Sequence, residues 1–460
     1  MATPQSSILY KNPSKTLFLL DIPASITLAQ DLSPTQHRHH HSVPPTQEQQ
    51  PLGKAPQNQP KCILSTAPLQ TPYPTLPEPK TEKARARVLK RIPIAERTFH
   101  ADVIGPVARN GLEGIRQGFG PEGEAKAWCF ERCVCTSDLP FAAGSLAGVL
   151  GGLRGDDEPP VILSPTCENV FGGMAEVRDT AVKNSSMESA SLAFLHESAF
   201  SSRKPWTFTI PPLTTFLFCT VAIGPPPLLP YPDTQHQKNL IPGLPGTQTF
   251  NLILLDPPWP NRSVLRSGHY HTQTYMDMDV LIQTLRDILR ARLWGLSPGS
   301  NSADTISGQE SIAAIWVTNS PRARKAAYDA IQEAGLVVSE EWIWLKTTIN
   351  GEPITPVDGL WRKPYEILVI GQRKGNTSRA GGSGDYDGVT RRVVAAVPDV
   401  HSRKPNLREI FEEVFFDAAS YSALEVFARN LTAGWWACGD EVLRFNADEW
   451  WVDSVGKPNE

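Results

Sequence analysis

The sequence lacks a run of about eighteen apolar residues, the length that a membrane-spanning helix needs, so no membrane span is expected. Its first residues lack the basic, apolar and small-residue order of a secretory signal. The seven cysteines form no regular framework, which favours a reducing compartment such as the nucleus or the cytosol. The formal net charge is −4, so a surface that binds nucleic acid would have to be a local patch.

Cysteine and histidine also lack the spacing of a metal site. Cys129, Cys133 and Cys135 lie close together, but they do not form the paired C-x-x-C of a zinc site. The run His37 to His41 lies in a tract rich in Pro, Gln, Ser and Thr, where a solvated low-complexity segment and a metal-binding tract both stay open. We therefore predict no bound metal.

Composition divides the chain into four parts. Residues 1–30 contain the apolar stretch Leu17 to Leu20, which we expect to dock on a later domain. Residues 31–95 have too few large apolar residues to offset the entropy of ordering, which predicts a disordered linker. Apolar segments within 96–204 predict a small accessory domain, and 205–455 has the pattern of a larger domain.

The basic end of the predicted linker is the best candidate for a surface that binds nucleic acid. A solvated linker and a nuclear-import signal are the alternatives. The basic residues concerned are Lys80, Lys83, Arg85, Arg87, Lys90, Arg91 and Arg97.

After residue 205, apolar runs of strand length alternate with helical patterns. Asp279 to Trp294 places its apolar residues along one side of a helix, and another helix is expected between Ser320-Pro321 and Gly335. This alternation predicts an α/β fold with a largely parallel sheet covered on both faces, which binds ligands beyond the carboxyl ends of its strands. The predicted strands are Phe216–Val221, Phe250–Leu255, Ile312–Thr318, Val337–Lys346, Tyr365–Gly371, Val393–Val397 and Leu424–Phe427, and Leu407–Phe416 is predicted to be helical.

The strand that ends at Leu255 is followed at once by Asp256-Pro257-Pro258-Trp259. The prolines cannot continue a strand ladder and fix the backbone as it leaves the sheet. One interpretation is a rigid turn in which Asp256 caps amides and Trp259 packs in the core. The other is a reacting centre for the exocyclic amine of adenine, in which the Asp256 carboxylate and the Pro257 carbonyl accept the amine's two hydrogens. Trp259 would then offer a face to the flipped-out base.

Several sequence blocks accompany this motif in one order. The blocks are Asp256-Pro257-Pro258-Trp259, Asn261-Arg262-Ser263-Val264, Trp316-Val317-Thr318-Asn319, Glu341-Trp342-Ile343-Trp344-Leu345-Lys346, Lys363-Pro364-Tyr365-Glu366, Lys404-Pro405, Phe427-Ala428-Arg429-Asn430-Leu431, Gly434-Trp435 and Gly439-Asp440-Glu441. In this set and order, the segment from about 205 to 450 resembles the MT-A70 family of N6-adenine methyltransferases, and within it the branch of methyltransferase-like protein four. The resemblance covers about half of the chain, and residues before 205 match only vaguely.

The resemblance implies a Rossmann-like fold of the permuted β-class, with S-adenosylmethionine as the methyl donor. It implies that Lys404 binds the donor's carboxylate and that Arg429, Asn430 and Glu441 hold its ribose, together with Asp440. Without the resemblance, Lys404 could equally be a surface lysine, and the others could cap a helix or form a surface ion pair.

The resemblance also implies a side that receives the target nucleotide. Besides Trp259, it would be lined by Asn261, Lys363, Tyr365 and Glu366. Tyr365 could equally be a core aromatic at the start of a strand.

Two positions depart from the family pattern. Thr220-Val221 stands where the family has an Asp-Ile pair that contacts the donor's adenine, and Asp440 stands where the family usually has asparagine. The threonine hydroxyl could replace one contact, and the aspartate can accept a hydrogen bond but cannot donate one. Both departures bear on donor affinity and leave the reacting centre intact.

Three functions therefore compete. The first is an RNA adenine methyltransferase, with small nuclear RNA, including 2′-O-methylated adenosine, as the substrate that the resemblance favours. The second is the same enzyme acting on DNA, and the third is an adaptor that binds nucleic acid without catalysis. Retention of Asp256 to Trp259 favours an enzyme, whereas Thr220 and Asp440 favour the adaptor. We expect RNA over DNA and the nucleus over the cytoplasm, and no segment marks a surface for a protein partner.

Overall fold

Strands and helices occur throughout the part of the chain that the computed structural model describes. The described residues are 4–33, 61–74, 79, 81–90, 92–120, 126–135, 159–195, 205–223, 239–259, 278–296, 310–360, 362–373, 388–416 and 421–453. The strands in these ranges are β1 Ile8–Lys11, β2 Leu17–Leu20, β3 Lys61–Ser65, β4 Cys133–Val134, β5 Val161–Leu163, β6 Asn169–Phe171, β7 Ala181–Asn184, β8 Ala190–Phe194, β9 Trp206–Ile210, β10 Thr215–Leu217, β11 Leu252–Leu255, β12 Ile312–Val317, β13 Val337–Lys346, β14 Tyr365–Gln372, β15 Thr390–Ala396, β16 Ala423–Val426, β17 Trp436–Cys438 and β18 Trp451–Asp453. The α-helices are α1 Ile22–Leu28, α2 Glu82–Leu89, α3 Ile94–Thr98, α4 Gly105–Phe119, α5 Met278–Arg292, α6 Pro321–Glu333 and α7 Arg408–Val414. A π-helical stretch, Phe99–Ile104, connects α3 to α4.

The largest sheet has the strand order β1-β2-β15-β13-β14-β12-β11-β16-β17-β10-β7-β5. Its centre, from β12 to β10, is parallel throughout. Strand β14 runs antiparallel to both β12 and β13, and β1 and β7 run antiparallel to β2 and β10. The predicted α/β fold with a mostly parallel sheet is confirmed, with the correction that the sheet is mixed at β14 and towards its edges.

Both faces of the sheet are covered because its central strands are apolar on both sides. Strand β11, Leu252–Leu255, is buried throughout. Ile253 and Leu255 pack with α4, α5 and α6, whereas Leu252 and Leu254 pack with α1 and α7. Each such side chain stabilises the fold by about 2 kcal/mol, so β11 anchors the turn that follows it.

Helix α6 begins and ends where the sequence predicts. Ser320 is its N-cap residue and Pro321 its first residue, where a proline loses no helical hydrogen bond. Gly335 follows with a φ of 88°, a left-handed conformation that favours glycine at a helix end. The other predicted helices and strands after residue 205 occur with ends shifted by a few residues, and β10 is shorter than predicted.

The N-terminal segment extends the large sheet. Strand β2 pairs in parallel with β15, and β1 pairs with β2. Helix α4 lies close against these strands along Gly111, Gly114 and Gly118, where a Cβ atom would overlap Val393, Leu17 and Tyr10. The glycine spacing of three and four residues places all three on one side of the helix. This side is therefore a contact surface for the sheet edge.

The structure divides the chain differently from the composition. Strands β5 and β7 belong to the large sheet, so the boundary predicted at residue 204 cuts through one sheet. Strand β3 and helix α2 fall inside 31–95, which was predicted to be an unstructured linker. Cys62 and Cys133 form a disulfide between β3 and β4, a pairing that the cysteine spacing did not predict. His37 to His41 lie outside the described residues.

Within the described ranges, no helix is both long enough and apolar enough to span a membrane.

Candidate active site

Four adjacent parallel strands end at the same edge of the sheet, and polar side chains follow each of them. Asp256 follows β11, Arg429 follows β16, Asp440 follows β17, and Thr220 follows β10. The Asp256 amide donates to the carbonyl of Val426 at 3.3 Å, so the turn after β11 continues the pairing with β16. Carboxyl edges of this kind are where open α/β sheets bind ligands.

The Asp256 carboxylate lies between two cations. Its Oδ1 is 3.3 Å from Lys404 Nζ, and its Oδ2 is 3.8 Å from Arg429 Nη1. Asp256 is half-buried at the wall of a cavity that Leu254, Trp316 and Glu425 also line. These partners are far from Asp256 in the sequence, and they argue against a turn in which Asp256 only caps local amides.

Lys404 contacts two carboxylates, those of Asp256 and Glu366, and is not a surface lysine. Its Nζ is 2.7 Å from Glu366 Oε2 and 4.8 Å from the centre of the Trp316 ring. Burial disfavours the charged lysine, but Asp256 and Glu366 outweigh burial and raise its pKa. Burial likewise opposes ionisation of Glu366, yet Lys404 and Lys346 lower the pKa of this carboxyl to about 2. The cluster is therefore charged near neutral pH.

The Pro257 carbonyl already has one donor. It accepts from the Trp259 amide at 2.8 Å, and the Trp259 indole Nε1 donates to the carbonyl of Trp316 at 2.7 Å. A carbonyl oxygen has two lone pairs, so Pro257 can accept a second hydrogen bond. Trp259 is 7% exposed, and Pro258 is exposed. Trp259 thus holds the turn from inside, which corrects the prediction that it offers an open face to a base.

The residues after β16 and β17 form a polar cluster beside Asp256. Arg429 Nε donates to Glu441 Oε2 at 2.8 Å, and Arg444 donates to the other Glu441 oxygen at 2.9 Å. Asn430 Nδ2 is buried and has no hydrogen-bond partner within the described part of the chain. A buried amide of this kind is usually satisfied, so Asn430 is a donor that a ligand hydroxyl would fit.

Backbone strain marks the same place. Phe427 and Ser402, both close to the charged cluster, have φ angles of 62° and 68°, which residues with side chains rarely adopt. Gly439 has a φ of 146°, and a Cβ atom there would lie 3.1 Å from the Phe427 Cα. Strain of about 1–3 kcal/mol for each such residue is typical of sites whose geometry is imposed by the surrounding fold.

The residues predicted to receive the target nucleotide are mostly occupied by other contacts. Tyr365 is 1% exposed, and its hydroxyl lies 2.9 Å from His100 Nδ1, so the structure shows the core aromatic. Glu366 pairs with two lysines, and Lys363 donates to the carbonyl of Val357 at 3.3 Å. Asn261 lies outside the described residues.

The two departures from the family pattern contact each other. Thr220 donates its hydroxyl hydrogen to Asp440 Oδ1, and Arg178 Nη2 donates to the same threonine oxygen at 2.8 Å. Burial is the main cause that raises the pKa of Asp440. Val221 is buried in the core and makes its contacts there. The sequence reasoning missed Arg178, because no local motif surrounds it and Thr220, to which it donates, lies 42 residues away in the chain.

Glu425 was also missed, although a glutamate inside the apolar strand Ala423–Val426 was a visible signal. It lines the cavity beside Asp256. Burial and the nearby Asp256 raise the pKa of Glu425 to about 8, although Arg429 opposes this. Near neutral pH the site therefore contains two carboxyls in different states: Glu425 keeps its proton, and Glu366 is ionised.

Glu425→Gln is expected to make the protein more stable at pH 8 and to leave its stability unchanged at pH 4. Folded Glu425 keeps its proton up to about pH 8, whereas the unfolded side chain ionises near 4.5. Because the folded state binds the proton more tightly, the wild type loses stability as pH rises through this window, by about 1.4 kcal/mol for each unit by which the folded and unfolded pKa values differ. Glutamine does not titrate and avoids this loss.

Thermal unfolding of both proteins between pH 4 and pH 8 measures the difference. Glu113→Gln, at a side chain on α4 that is 56% exposed, serves as the matched control. Parallel pH profiles of wild type and Glu425→Gln would contradict the prediction.

Comparison with known proteins connects this geometry to a family. Residues 302–441 match the model of the MT-A70 family. This segment of the chain is similar to the MT-A70 family. The matched segment contains Glu366, Lys404 and Arg429. Asp256, the residue that these cations contact, precedes the matched segment.

Relatives of the MT-A70 domain agree with this assignment. The chain is 41% identical over 214 residues to the N6-methyladenosine RNA methyltransferase MTA1 of Cryphonectria parasitica, covering 45% of the chain and 55% of that protein. It is 41% identical over 228 residues to MTA1 of Pyricularia oryzae, covering 48% and 54%. It is 28% identical over 250 residues to the human N(6)-adenine-specific methyltransferase METTL4, covering 53% and 45%. The chain thus spans about half the length of these relatives, and the predicted MT-A70 resemblance is confirmed.

Proposed function

We propose that the chain is an S-adenosylmethionine-dependent methyltransferase that methylates the N6 amine of adenine in RNA. The observation that carries the proposal is the position of Asp256, half-buried between Lys404 and Arg429 at the carboxyl edge of a central parallel strand. The adjoining Pro257 carbonyl has a free lone pair. This places two acceptors of different kinds on one rigid turn.

The residues around Asp256 fit the methyl donor, which has a carboxylate, a cationic centre and ribose hydroxyls. Lys404 would hold the carboxylate, and Arg429 and Glu441 would hold the ribose. Asn430 Nδ2 is a buried donor without a partner among the described residues, and a ribose oxygen would satisfy it. When bound, the donor supplies an electrophilic methyl group.

The chain's own residues would make the target amine reactive. Its nitrogen is a poor nucleophile because the lone pair is delocalised into the purine ring. Hydrogen bonds from the amine to the Asp256 carboxylate and the Pro257 carbonyl would favour a tetrahedral nitrogen with an available lone pair. Because Trp259 holds the turn through Trp316, these acceptors need no reorganisation during the reaction, which is the source of electrostatic catalysis.

RNA is the substrate that we favour, because the two fungal relatives at 41% identity are named RNA methyltransferases. Small nuclear RNA, including 2′-O-methylated adenosine, is our specific proposal within that class, and the nucleus is the proposed location. Helix α2 carries Lys83 and Arg87, Lys90 caps its C-terminal end, and all three are exposed at helical spacing. We assign this helix to contacts with the phosphate backbone, which need positive charge and no base readout.

Incubation with labelled donor and matched single-stranded RNA, duplex RNA and DNA tests the proposed function. We expect label in RNA, most of it as N6-methyladenosine in the single-stranded form. Preferential labelling of DNA would show that DNA, and not RNA, is the substrate. Binding of nucleic acid with neither donor binding nor transfer would support the adaptor instead and would contradict the proposed enzyme.

A further inference from the structure

The segment 397–403, which leads from β15 to Lys404, is held by a buried arginine from the N-terminal part of the chain. Arg132 donates from Nη2 to the carbonyl of Val397 at 2.8 Å and from Nη1 to the carbonyl of Pro398 at 2.9 Å. Its side chain is 1% exposed, so these hydrogen bonds are shielded from water. Arg132 lies outside the part of the chain that matches the family, and it has no role in the proposed function.

A buried ion pair fixes the other end of the same segment. Arg403 Nη1 lies 2.6 Å from Asp399 Oδ2, and both side chains are fully buried. Arg403 Nη1 also donates to the carbonyl of Leu64 at 2.8 Å, and the Thr66 amide donates to Asp399 Oδ1 at 3.0 Å. The segment is thereby fixed at its start by Arg132 and at its end by strand β3 and the residue that follows it.

The residues on either side of Arg132 are themselves held in place. Cys133, the next residue, begins β4, which pairs in parallel with β3 and is joined to Cys62 by the disulfide. The Phe130 amide donates to Asp21 Oδ2 at 3.0 Å, which connects this part of the chain to the start of α1. The guanidinium of Arg132 therefore reaches the two carbonyls from a fixed backbone.

The end of this segment places two cations of the site. Lys404 follows it directly and contacts Asp256. The Ser402 carbonyl accepts from Arg429 Nη1 at 3.1 Å, and Ser402 itself has the left-handed φ of 68°. A residue with a side chain keeps such a conformation only where the surrounding structure imposes it. The buried contacts of Arg132 are part of that constraint.

Stability alone does not explain the buried cluster of Arg132, Asp399 and Arg403. Burying a charged side chain is costly, and well-packed apolar residues often stabilise a fold as much as a buried ion pair does. Yet these three side chains are at most 1% exposed. Unlike apolar contacts, their hydrogen bonds have fixed directions and end on particular carbonyls. The cluster is therefore suited to fixing the path of the backbone before Lys404.

We propose that Arg132 is a positioning residue for Lys404, because it holds the segment 397–403 so that the lysine is directed at the carboxylate of the methyl donor. The inference rests on the proposed function, in which Lys404 binds that carboxylate. It gives the part of the chain around β4 a role in donor binding, although this part lies outside the family match. The matched residues alone lack the arginine that fixes their lysine.

Titration calorimetry of the full chain with two probes tests the proposal. S-adenosylhomocysteine has the amino-acid carboxylate, whereas 5′-methylthioadenosine has the same nucleoside and thioether but lacks the amino-acid part. The ratio of the two affinities therefore reports on the groups that bind the amino-acid part. We expect Arg132→Met to narrow this ratio by about tenfold, which corresponds to one weakened hydrogen bond between charged groups. The affinity for methylthioadenosine should change by less than about twofold.

A second variant shows whether Arg132 acts through Lys404. In a chain that already carries Lys404→Ala, Arg132→Met should narrow the ratio no further, because two changes that act on one contact are not additive. A purely structural role for Arg132 would instead weaken the binding of both probes, and it would do so with or without Lys404.

Arg408→Met is the matched control, because Arg408 is also buried and donates to the main-chain carbonyls of Leu28 and Asp31. It should leave the ratio unchanged even if the melting temperature falls. Arg132→Lys keeps the charge and should narrow the ratio by a smaller factor, and this variant decides the matter if Arg132→Met fails to fold. An unchanged ratio in the folded variants, or equal weakening of both probes, would overturn the inference while the proposed function stands. Failure of the wild type to bind either probe would overturn both.

Discussion

Asp256→Ala is expected to lower methyl transfer by about 10²–10³-fold, with donor affinity nearly unchanged. The variant removes one of the two acceptors that we propose for the target amine. It keeps Lys404 paired with Glu366 and Arg429 paired with Glu441, so the groups assigned to the donor stay in place. Single-turnover methylation of RNA measures the first effect, and titration calorimetry with S-adenosylhomocysteine measures the second.

Asp256→Asn is the matched variant for this prediction. Its amide has the same shape and retains one acceptor oxygen, so we expect a smaller loss of transfer than in Asp256→Ala. Circular dichroism melting of both variants reports on the fold. If both variants unfold, the turn has a structural role, and if Asp256→Ala transfers methyl groups at the wild-type rate, Asp256 is not part of the reacting centre.

Lys404→Ala is expected to weaken donor binding by about 30–100-fold, which corresponds to the loss of one hydrogen bond between charged groups. The lysine is the cation assigned to the donor's carboxylate. Its removal also leaves Asp256 and Glu366 with fewer cations, since both contact Lys404 Nζ. Two carboxylates at the site would then repel the incoming carboxylate of the donor. Titration calorimetry measures the affinity at constant ionic strength.

Lys346→Ala is the matched control, because Lys346 pairs with the same Glu366 at 2.6 Å and is similarly buried, but is not among the contacts of Asp256. We expect it to destabilise the fold while weakening donor binding far less than Lys404→Ala. Lys404→Arg keeps the charge and should retain part of the affinity. Equal loss of donor affinity in Lys346→Ala and Lys404→Ala would show that Lys404 acts through Glu366 alone.

Local patterns predicted the features that depend on neighbouring residues. The alternation of apolar runs and helical periodicity predicted the α/β fold, because each element has to bury its own apolar side. Pro321 and Gly335 predicted the ends of a helix through backbone conformations that belong to those residue types. Asp256 was placed at the carboxyl end of a strand because two prolines cannot continue a ladder.

Features that join distant residues were not predictable in this way. The domain boundary at residue 204 was predicted from composition, yet β5 and β7 complete the same sheet as β10. Tyr365 was assigned to the nucleotide side by the family resemblance, with a core aromatic as the alternative, and Trp259 was predicted to offer a face to the base; the structure buries both. Burial of an aromatic ring depends on which element packs over it, and residues adjacent in the sequence carry no information about that.

The sequence by itself thus indicated the resemblance to the MT-A70 family and the fold class, and it placed Asp256 to Trp259 directly after β11. The tertiary structure decided which charges share the site. Lys404 meets Asp256 and Glu366, and Arg178 meets Thr220, because the order of strands in the sheet brings separate strand ends to one edge. An ion pair or hydrogen bond depends on a separation of a few ångströms, and strand order sets that separation between residues far apart in the chain.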